Sequence, residues 1–484
     1  MTESNKFGLW GLVAIVFGSV IGGSIFNIAQ NLARHAALGA VIAAWLITAV
    51  GVFFLVMTFK SLADMRPDLT AGIYQYAQVG FGRYVGFNMA WGYWLSVVLG
   101  NVTYAVMLND ALGAFFPVLM QHGWATVIFA SVLVWLMYFI VAHGAHSAAY
   151  INNILSVVKF GCIVLIIAIL VIYARIGMFS YDFWGHATTP SLGGIGSQFS
   201  SCMLVTIWSF IGIEGAVMMS SRAKRHKDVG RATIIGFLLA LALYLLVSVL
   251  CFGVMTQPRM ATLPNPSLAY VLDACAGPWA KWLVIISVII SLAGCFTAWT
   301  LVCAHIPYEA ASVKILPRQF LRVNAKGVPY YGMLVATIFM TLCIILVVTA
   351  ENVYIAALNL TAMMVLPPYM FCGMYLWKLS YAATHNVPHG YNRIYIRIIS
   401  LGAMIFCGYI MWAGSLKLLM VTSLFYLAGT GFFILTRLQQ TGKHTLKQWR
   451  RIFTPAEMCI FAALCVFAIL SLYLLITGNI VLDS

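Results

Sequence analysis

Charge is the scarcest thing in this chain. Only 8% of its 484 residues are Asp, Glu, Lys or Arg, while 63% are hydrophobic; a soluble domain carries roughly 25% charged residues. A soluble globular fold is thereby excluded. Acidic residues are the rarest, 12 against 27 Lys and Arg. Enzyme signatures are missing too: the sequence has no His-Glu-x-x-His, no Gly-x-Ser-x-Gly and no phosphate-binding loop with its lysine, so none of the chemistry those motifs support is indicated. The eleven cysteines form no Cys-x-x-Cys pair, and only Cys275 falls in an expected outer loop, which leaves no disulfide framework. They read as small packing residues. His143 and His146 have a metal-like spacing but fall at an expected cytoplasmic helix end, where a solvated loop position accounts for them. No metal or cofactor is expected.

What the chain does have is long apolar stretches. A bilayer span needs about 20 apolar residues, and thirteen such stretches can be marked, centred near Val16, Ile47, Leu95, Val132, Val164, Trp208, Ala242, Ile290, Thr341, Met364, Ile405, Phe425 and Cys465. The N-terminus, Met1–Lys6, is short and polar and the first apolar stretch is long, which argues against a cleavable signal, so Met1 is expected to begin the mature protein. The net charge of +15 is not laid out for nucleic acid. With the N-terminus inside, only Arg34, Arg175, Arg259, Lys281 and Lys417 fall away from cytoplasmic segments, leaving 22 of the 27 basic residues within or beside them. The densest clusters, 222–231 and 437–451, both fall on that side. Such asymmetry follows the positive-inside rule. The expected setting is a bacterial inner membrane, with a cytoplasmic N-terminus, a lipid bilayer as surroundings and no nucleic-acid partner.

Two spans are broken. Span one contains Gly18-Ser-Val-Ile-Gly-Gly-Ser-Ile-Phe26, and span six contains Trp208-Ser-Phe-Ile-Gly-Ile-Glu-Gly-Ala216. Interrupted hydrophobic segments in corresponding halves of a chain point to a transporter site, and Glu214, an ionisable group at membrane depth, is a functional candidate by default. Five-helix units over 8–175 and 197–380 would place each break in the first helix of its unit. Five is odd, so the second unit enters the membrane from the opposite side and the repeat is inverted. Pro367-Pro368 should kink span ten, and 393–478 would hold additional helices outside the repeat. The fold expected is all-α: a polytopic bundle with an inverted 5+5 repeat and 12 or 13 spans.

The breaks also carry chemistry. The second half of span one begins with free N–H groups suited to a carboxylate, and the first half of span six ends in free carbonyls suited to an ammonium. Together they suit an α-amino acid, although glycines that merely allow close helix packing would look the same. Glu214 has no basic neighbour at mid-depth; Lys159 is the nearest candidate and is expected nearer the cytoplasmic end. Burial penalises the charged form of a carboxyl, so Glu214 is a candidate to gain and lose a proton as substrate arrives, or a structural protonated acid. Trp208 and Trp299, on spans six and eight, offer faces that hold cations. Tyr93 and Asn101 add polar groups on span three.

At these residues the chain resembles the basic amino acid/polyamine antiporters of the amino acid–polyamine–organocation superfamily, and within them the bacterial arginine/agmatine and arginine/ornithine antiporters. The likeness also covers Ala71-Gly-Ile-Tyr-Gln-Tyr76, Trp91-Gly-Tyr-Trp-Leu-Ser96, Gly100-Asn101, Asn265-Pro-Ser267 and Ala298-Trp-Thr-Leu301. It implies a LeuT-type bundle in which the amides of Gly23 and Ser24 receive the substrate carboxylate and the carbonyls of Val20, Trp208 and Ile211 the α-amino group. Trp299 would stack on the guanidinium, with Asn101, Ser96 and Thr361 as polar neighbours. Tyr93, Trp208 and Tyr369 match gating aromatics, and Glu214 a glutamate linked to pH-dependent transport. The resemblance also suggests a homodimer.

One departure stands out. Arginine/agmatine antiporters read Gly-Ser-Gly where this chain has Gly22-Gly23-Ser24, which moves the serine roughly 100° around a helix and leaves the carboxylate to backbone amides. A thirteenth span favours the arginine/ornithine-like branch. The expected function is import of arginine in exchange for intracellular agmatine or ornithine, with small basic amino acids and polyamines as partners. A proton-coupled symporter, an exchanger of another basic amino acid with its amine, and a non-transporting sensor or enzyme are the alternatives.

Overall fold

The computed structural model describes residues 7–69, 71–121, 123–186, 190–218, 223–345, 353–381, 392–441 and 452–477. Its helices are α1 (Leu9–Val20), α2 (Ser24–Ala33), α3 (Leu38–Met65), α4 (Ile73–Phe81), α5 (Arg83–Gly113), α6 (Trp124–His143), α7 (Ala145–Tyr173), α8 (Ile176–Ser180), α9 (Ile195–Trp208), α10 (Gly215–Met218), α11 (His226–Val254), α12 (Gln257–Ala261), α13 (Ser267–Ala276), α14 (Pro278–Ser312), α15 (Tyr330–Ile345), α16 (Val353–Tyr381), α17 (Arg393–Ala413), α18 (Leu416–Thr441) and α19 (Pro455–Ile476). Among the described residues, extended pairing is confined to isolated bridges, Phe7 with Ala223 and Val323 with Pro329. Among the described residues, ten helices are long and apolar enough to cross a bilayer, and α1 with α2, bent by 44°, makes an eleventh if the pair is one span. The remaining expected spans are α15, with 16 residues, and the interrupted pair α9 and α10. All thirteen expected centres fall on helices. This is a multi-pass membrane protein.

Spans one and six run antiparallel, as an odd-numbered repeat requires. Phe7 lies just before α1 and Lys224 follows span six in the chain, and the Lys224 N–H donates to the Phe7 carbonyl at 2.8 Å. Helix α5 forms the centre of the bundle and is buried over almost its whole length. Helix α19 lies on the periphery, most of its side chains exposed. It is nevertheless fastened to α5. Glu457 closes a capping box with Thr454 at the start of α19, and the same carboxylate accepts the Tyr84 N–H in the first turn of α5 at 3.0 Å. A carboxylate at a helix N-terminus satisfies free amides and suits the helix dipole.

Prolines inside spans free carbonyls that lipid cannot satisfy. Here neighbouring helices supply the donors. Pro307 removes the amide that would bond the Cys303 carbonyl, and the Trp94 indole N–H takes its place at 3.0 Å. Pro368 frees the Met364 carbonyl, which accepts from the Tyr426 hydroxyl at 3.3 Å. Helix α16 therefore continues through Pro367 and Pro368 to Tyr381.

Candidate functional site

Both breaks are shorter or longer than the glycines suggest. Helix α1 continues through Gly18, because the Ile21 N–H still reaches the Phe17 carbonyl at 2.9 Å. The break in span one is therefore residues 21–23. That in span six covers 209–214, beginning three residues before Gly212, right after the end of α9. The last turn of α1 touches the break in span six. Ser19 Oγ donates to the Gly212 carbonyl at 3.0 Å, besides carbonyls of its own helix. Gly212 has φ +104°, and a Cβ there would lie 3.0 Å from the backbone of Ser19. Both the backbone conformation and the close approach demand glycine at this position.

Glu214 is fully buried and its carboxylate ties three spans together. Oε1 accepts from the Tyr93 hydroxyl on α5. Oε2 accepts from the Tyr369 hydroxyl on α16 at 2.6 Å and from the Gly212 N–H at 3.1 Å. The structure thus brings the two expected gating tyrosines onto the expected proton-sensitive residue, a convergence that the sequence could not display.

A second set of polar atoms lies about two helical turns from Tyr93 and Tyr369 along α5 and α16. Trp299 Nε1, Asn101 Oδ1 and Thr361 Oγ1 are buried without a hydrogen-bond partner. They come from spans eight, three and ten. Asn101 Nδ2 donates to Cys303 Sγ at 3.4 Å, one turn along α14 from Trp299, and a Cβ on Gly100 would lie 3.6 Å from Thr361 Cγ2, so the three helices meet here. Buried polar groups are almost always paired, and these three, all in the expected substrate set, keep hydrogen-bonding capacity that no described protein group uses. Ser96 is less free, because its hydroxyl donates to the Tyr93 carbonyl at 2.7 Å. Trp208 ends α9, and Ile211 lies in the break; both are buried.

At the start of α2 the first amides lack partners within the helix, as at any helix N-terminus. Side chains cover them in this conformation. A Cβ on Gly23 would meet Leu292 Cδ2 at 2.6 Å and Met107 Cε at 2.7 Å. Ser24 does not point its hydroxyl to a vacant site but hydrogen-bonds the Tyr244 hydroxyl. Tyr244, from α11, donates onward to the Val20 carbonyl at 3.0 Å.

Lys159 corrects an expectation. It stands mid-way along α7, 2% exposed, and it does not pair with Glu214. Its ammonium donates to the Gly18 carbonyl at 3.2 Å, to the Ile21 carbonyl, and to Cys295 Sγ at 3.4 Å. A cation at the carbonyl end of a helix satisfies orphan acceptors and complements the dipole. Lys159 thus caps α1 at its break. Among the described residues no group of three His, Cys, Asp or Glu could hold a metal ion. His143 is exposed at the end of α6 with its ring on the Phe139 carbonyl, and the His146 side chain lies outside the described residues.

The sequence model of the amino acid permease family matches residues 7–435, from the start of span one into span twelve. The chain belongs to this family. An arginine/agmatine antiporter from Chlamydia pneumoniae is 39% identical to the permease over 439 residues, 90% of each chain. An arginine/ornithine antiporter from Pseudomonas aeruginosa is also 39% identical, over 487 residues and 99% of each chain, so that likeness extends through the thirteenth span. Among solved structures, a Na+-coupled sialic acid symporter in an outward-open state superposes with a TM-score of 0.53 at 14% identity, covering 86% of this chain and 90% of that one. At that identity the likeness concerns the fold, which is the inverted-repeat LeuT type. The permease is a transporter rather than an enzyme.

Sequence reasoning missed Tyr244 and misplaced Lys159. A lone lysine inside an apolar stretch was the available signal for Lys159, and its depth depended on where the helix began. Nothing in the sequence around Tyr244 distinguishes it from other tyrosines in spans.

Proposed function

We propose that this permease imports arginine across a bacterial inner membrane in exchange for agmatine or ornithine, by alternating access, with its N-terminus in the cytoplasm. The observation that carries the reading is the contact of span one with the break in span six, Ser19 on Gly212. Helix α2 also packs on α9, and the amides that open the one and the carbonyls that end the other are two complementary ends for one α-amino acid. The names of the two antiporters above support arginine as the shared substrate.

The roles follow from the geometry. The amides of Gly23 and Ser24 take the carboxylate once Met107 and Leu292 withdraw. The carbonyls of Trp208 and Ile211 take the α-ammonium; the Val20 carbonyl already accepts from the Tyr244 hydroxyl and the Gly22 N–H, each at 3.0 Å, and joins only if one of them withdraws. A guanidinium has five N–H donors and a flat face. The unpartnered oxygens of Asn101 and Thr361 suit the donors, and the Trp299 ring suits the face. Glu214 is already occupied by two tyrosines and an amide, so it serves as a latch between spans three, six and ten rather than as the substrate's counter-ion. Protonation turns one carboxylate oxygen from acceptor to donor and loosens that latch, releasing Tyr93 or Tyr369 for gating beside Trp208.

Charge distinguishes the two exports. Arginine for ornithine moves no net charge, whereas arginine for doubly charged agmatine carries one positive charge outward per cycle. The test is labelled-arginine counterflow into proteoliposomes loaded with agmatine, ornithine, lysine or putrescine, with and without an imposed potential. Acceleration by agmatine that responds to potential identifies the electrogenic pair, and potential-independent acceleration by ornithine the neutral one. Proton-driven uptake into empty vesicles, with no acceleration by any internal amine, contradicts exchange.

A further inference from the structure

We propose that Tyr104 is a specificity-determining residue, whose hydroxyl reads the α-carboxylate of an amino-acid substrate and so separates amino acids from decarboxylated amines. This rests on the exchanger reading above and deepens it. Tyr104 lies on α5 three residues beyond Asn101, about one helical turn, so the two side chains leave the same face. Asn101 lies where spans three, eight and ten meet; Tyr104 extends that face toward the break in span one. A Cβ built on Gly22 would lie 2.9 Å from the Tyr104 hydroxyl oxygen and 3.5 Å from Cε1 and Cζ. The phenol therefore lies directly on the residue preceding the amides of Gly23 and Ser24.

The serine at the break cannot do this work. Tyr244 gives its one hydroxyl hydrogen to the Val20 carbonyl. Ser24 must then be the donor in its bond to Tyr244, and it has no hydrogen left for a carboxylate. Tyr104 brings a hydroxyl donor to the same turn of backbone from a different helix. Hydrogen bonds to a charged acceptor are the strong ones, and the α2 N-terminus already favours an anion there. Arginine and ornithine present that anion. Agmatine and putrescine do not, so the hydroxyl has nothing to hold when they bind.

Tyr104→Phe keeps the ring against Gly22 and removes only the hydroxyl. Equilibrium binding of arginine, ornithine, agmatine and putrescine to the purified wild-type and substituted permeases tests the assignment. The arginine-to-agmatine and ornithine-to-putrescine affinity ratios should each fall roughly tenfold. Unchanged ratios, whether every ligand weakens alike or none does, overturn it. A wild-type permease that binds neither arginine nor ornithine contradicts the exchanger reading itself, and shows this before any substitution is made.

Discussion

The hydroxyl of Ser19 donates to the carbonyl of Gly212 at 3.0 Å, joining the broken halves of two antiparallel spans at a single bond. Gly212 has no room to change. Gly212→Ala forces a side chain onto φ +104° and against the Ser19 backbone at 3.0 Å. A loss of about 1–3 kcal/mol is expected from the strained backbone, read as a fall in the thermal unfolding midpoint of the purified protein. Ser19→Ala removes the bond without the clash and should lower that midpoint by less.

Trp299 offers the flat face for a cation. Trp299→Ala should weaken arginine binding by roughly 1–2 kcal/mol, the value of a desolvated cation–π contact, and Trp299→Phe should recover part of it. Binding titrations with arginine measure both. Unchanged affinity in the alanine variant would remove Trp299 from the site.

Glu214→Gln keeps the size and one acceptor oxygen but cannot exchange a proton. It should flatten the pH dependence of arginine exchange, measured from pH 5 to 8 in proteoliposomes. Tyr369→Phe, which removes the 2.6 Å partner of the same carboxylate, should alter the profile without abolishing it. A Glu214→Gln permease with the wild-type profile would leave the carboxylate a purely structural tie.

Lys159→Met deletes the donor that caps the end of α1. The Gly18 and Ile21 carbonyls would then face a buried setting without it, at a cost of about 1–3 kcal/mol for an unsatisfied group. A lowered unfolding midpoint and slower exchange are expected together. Exchange at the wild-type rate would show that the α1 break holds its shape without the lysine.

Glu457→Ala tests the thirteenth span. It removes the acceptor for the Tyr84 N–H and half of the capping box, with an expected cost of about 1 kcal/mol. The midpoint should fall while substrate affinity stays within twofold, because the contact lies at the end of α5 away from Asn101.

The spans were legible in the sequence because hydrophobic length alone specifies them, and all thirteen centres fall on helices. The breaks were legible in kind but not in extent. Gly18 has a helical backbone because nothing at that position opposes the Ile21-to-Phe17 bond, and the span-six break starts earlier, at Ser209. Local composition marks where a helix can open; the partners that hold it open come from elsewhere in the chain. Lys159 and Tyr244 reach the span-one break across more than a hundred residues of sequence. The convergence of Tyr93 and Tyr369 on Glu214 is likewise a property of the packed bundle. Resemblance to a family suggested those three residues separately, and only the fold shows that they meet.

The most direct test of the central claim is a structure of the permease with arginine bound. The account places the guanidinium within about 6 Å of the Trp299 ring centroid, the carboxylate on the amides of Gly23 and Ser24, and Glu214 still held by Tyr93 or Tyr369. A guanidinium paired directly with the Glu214 carboxylate, away from Trp299, would contradict it.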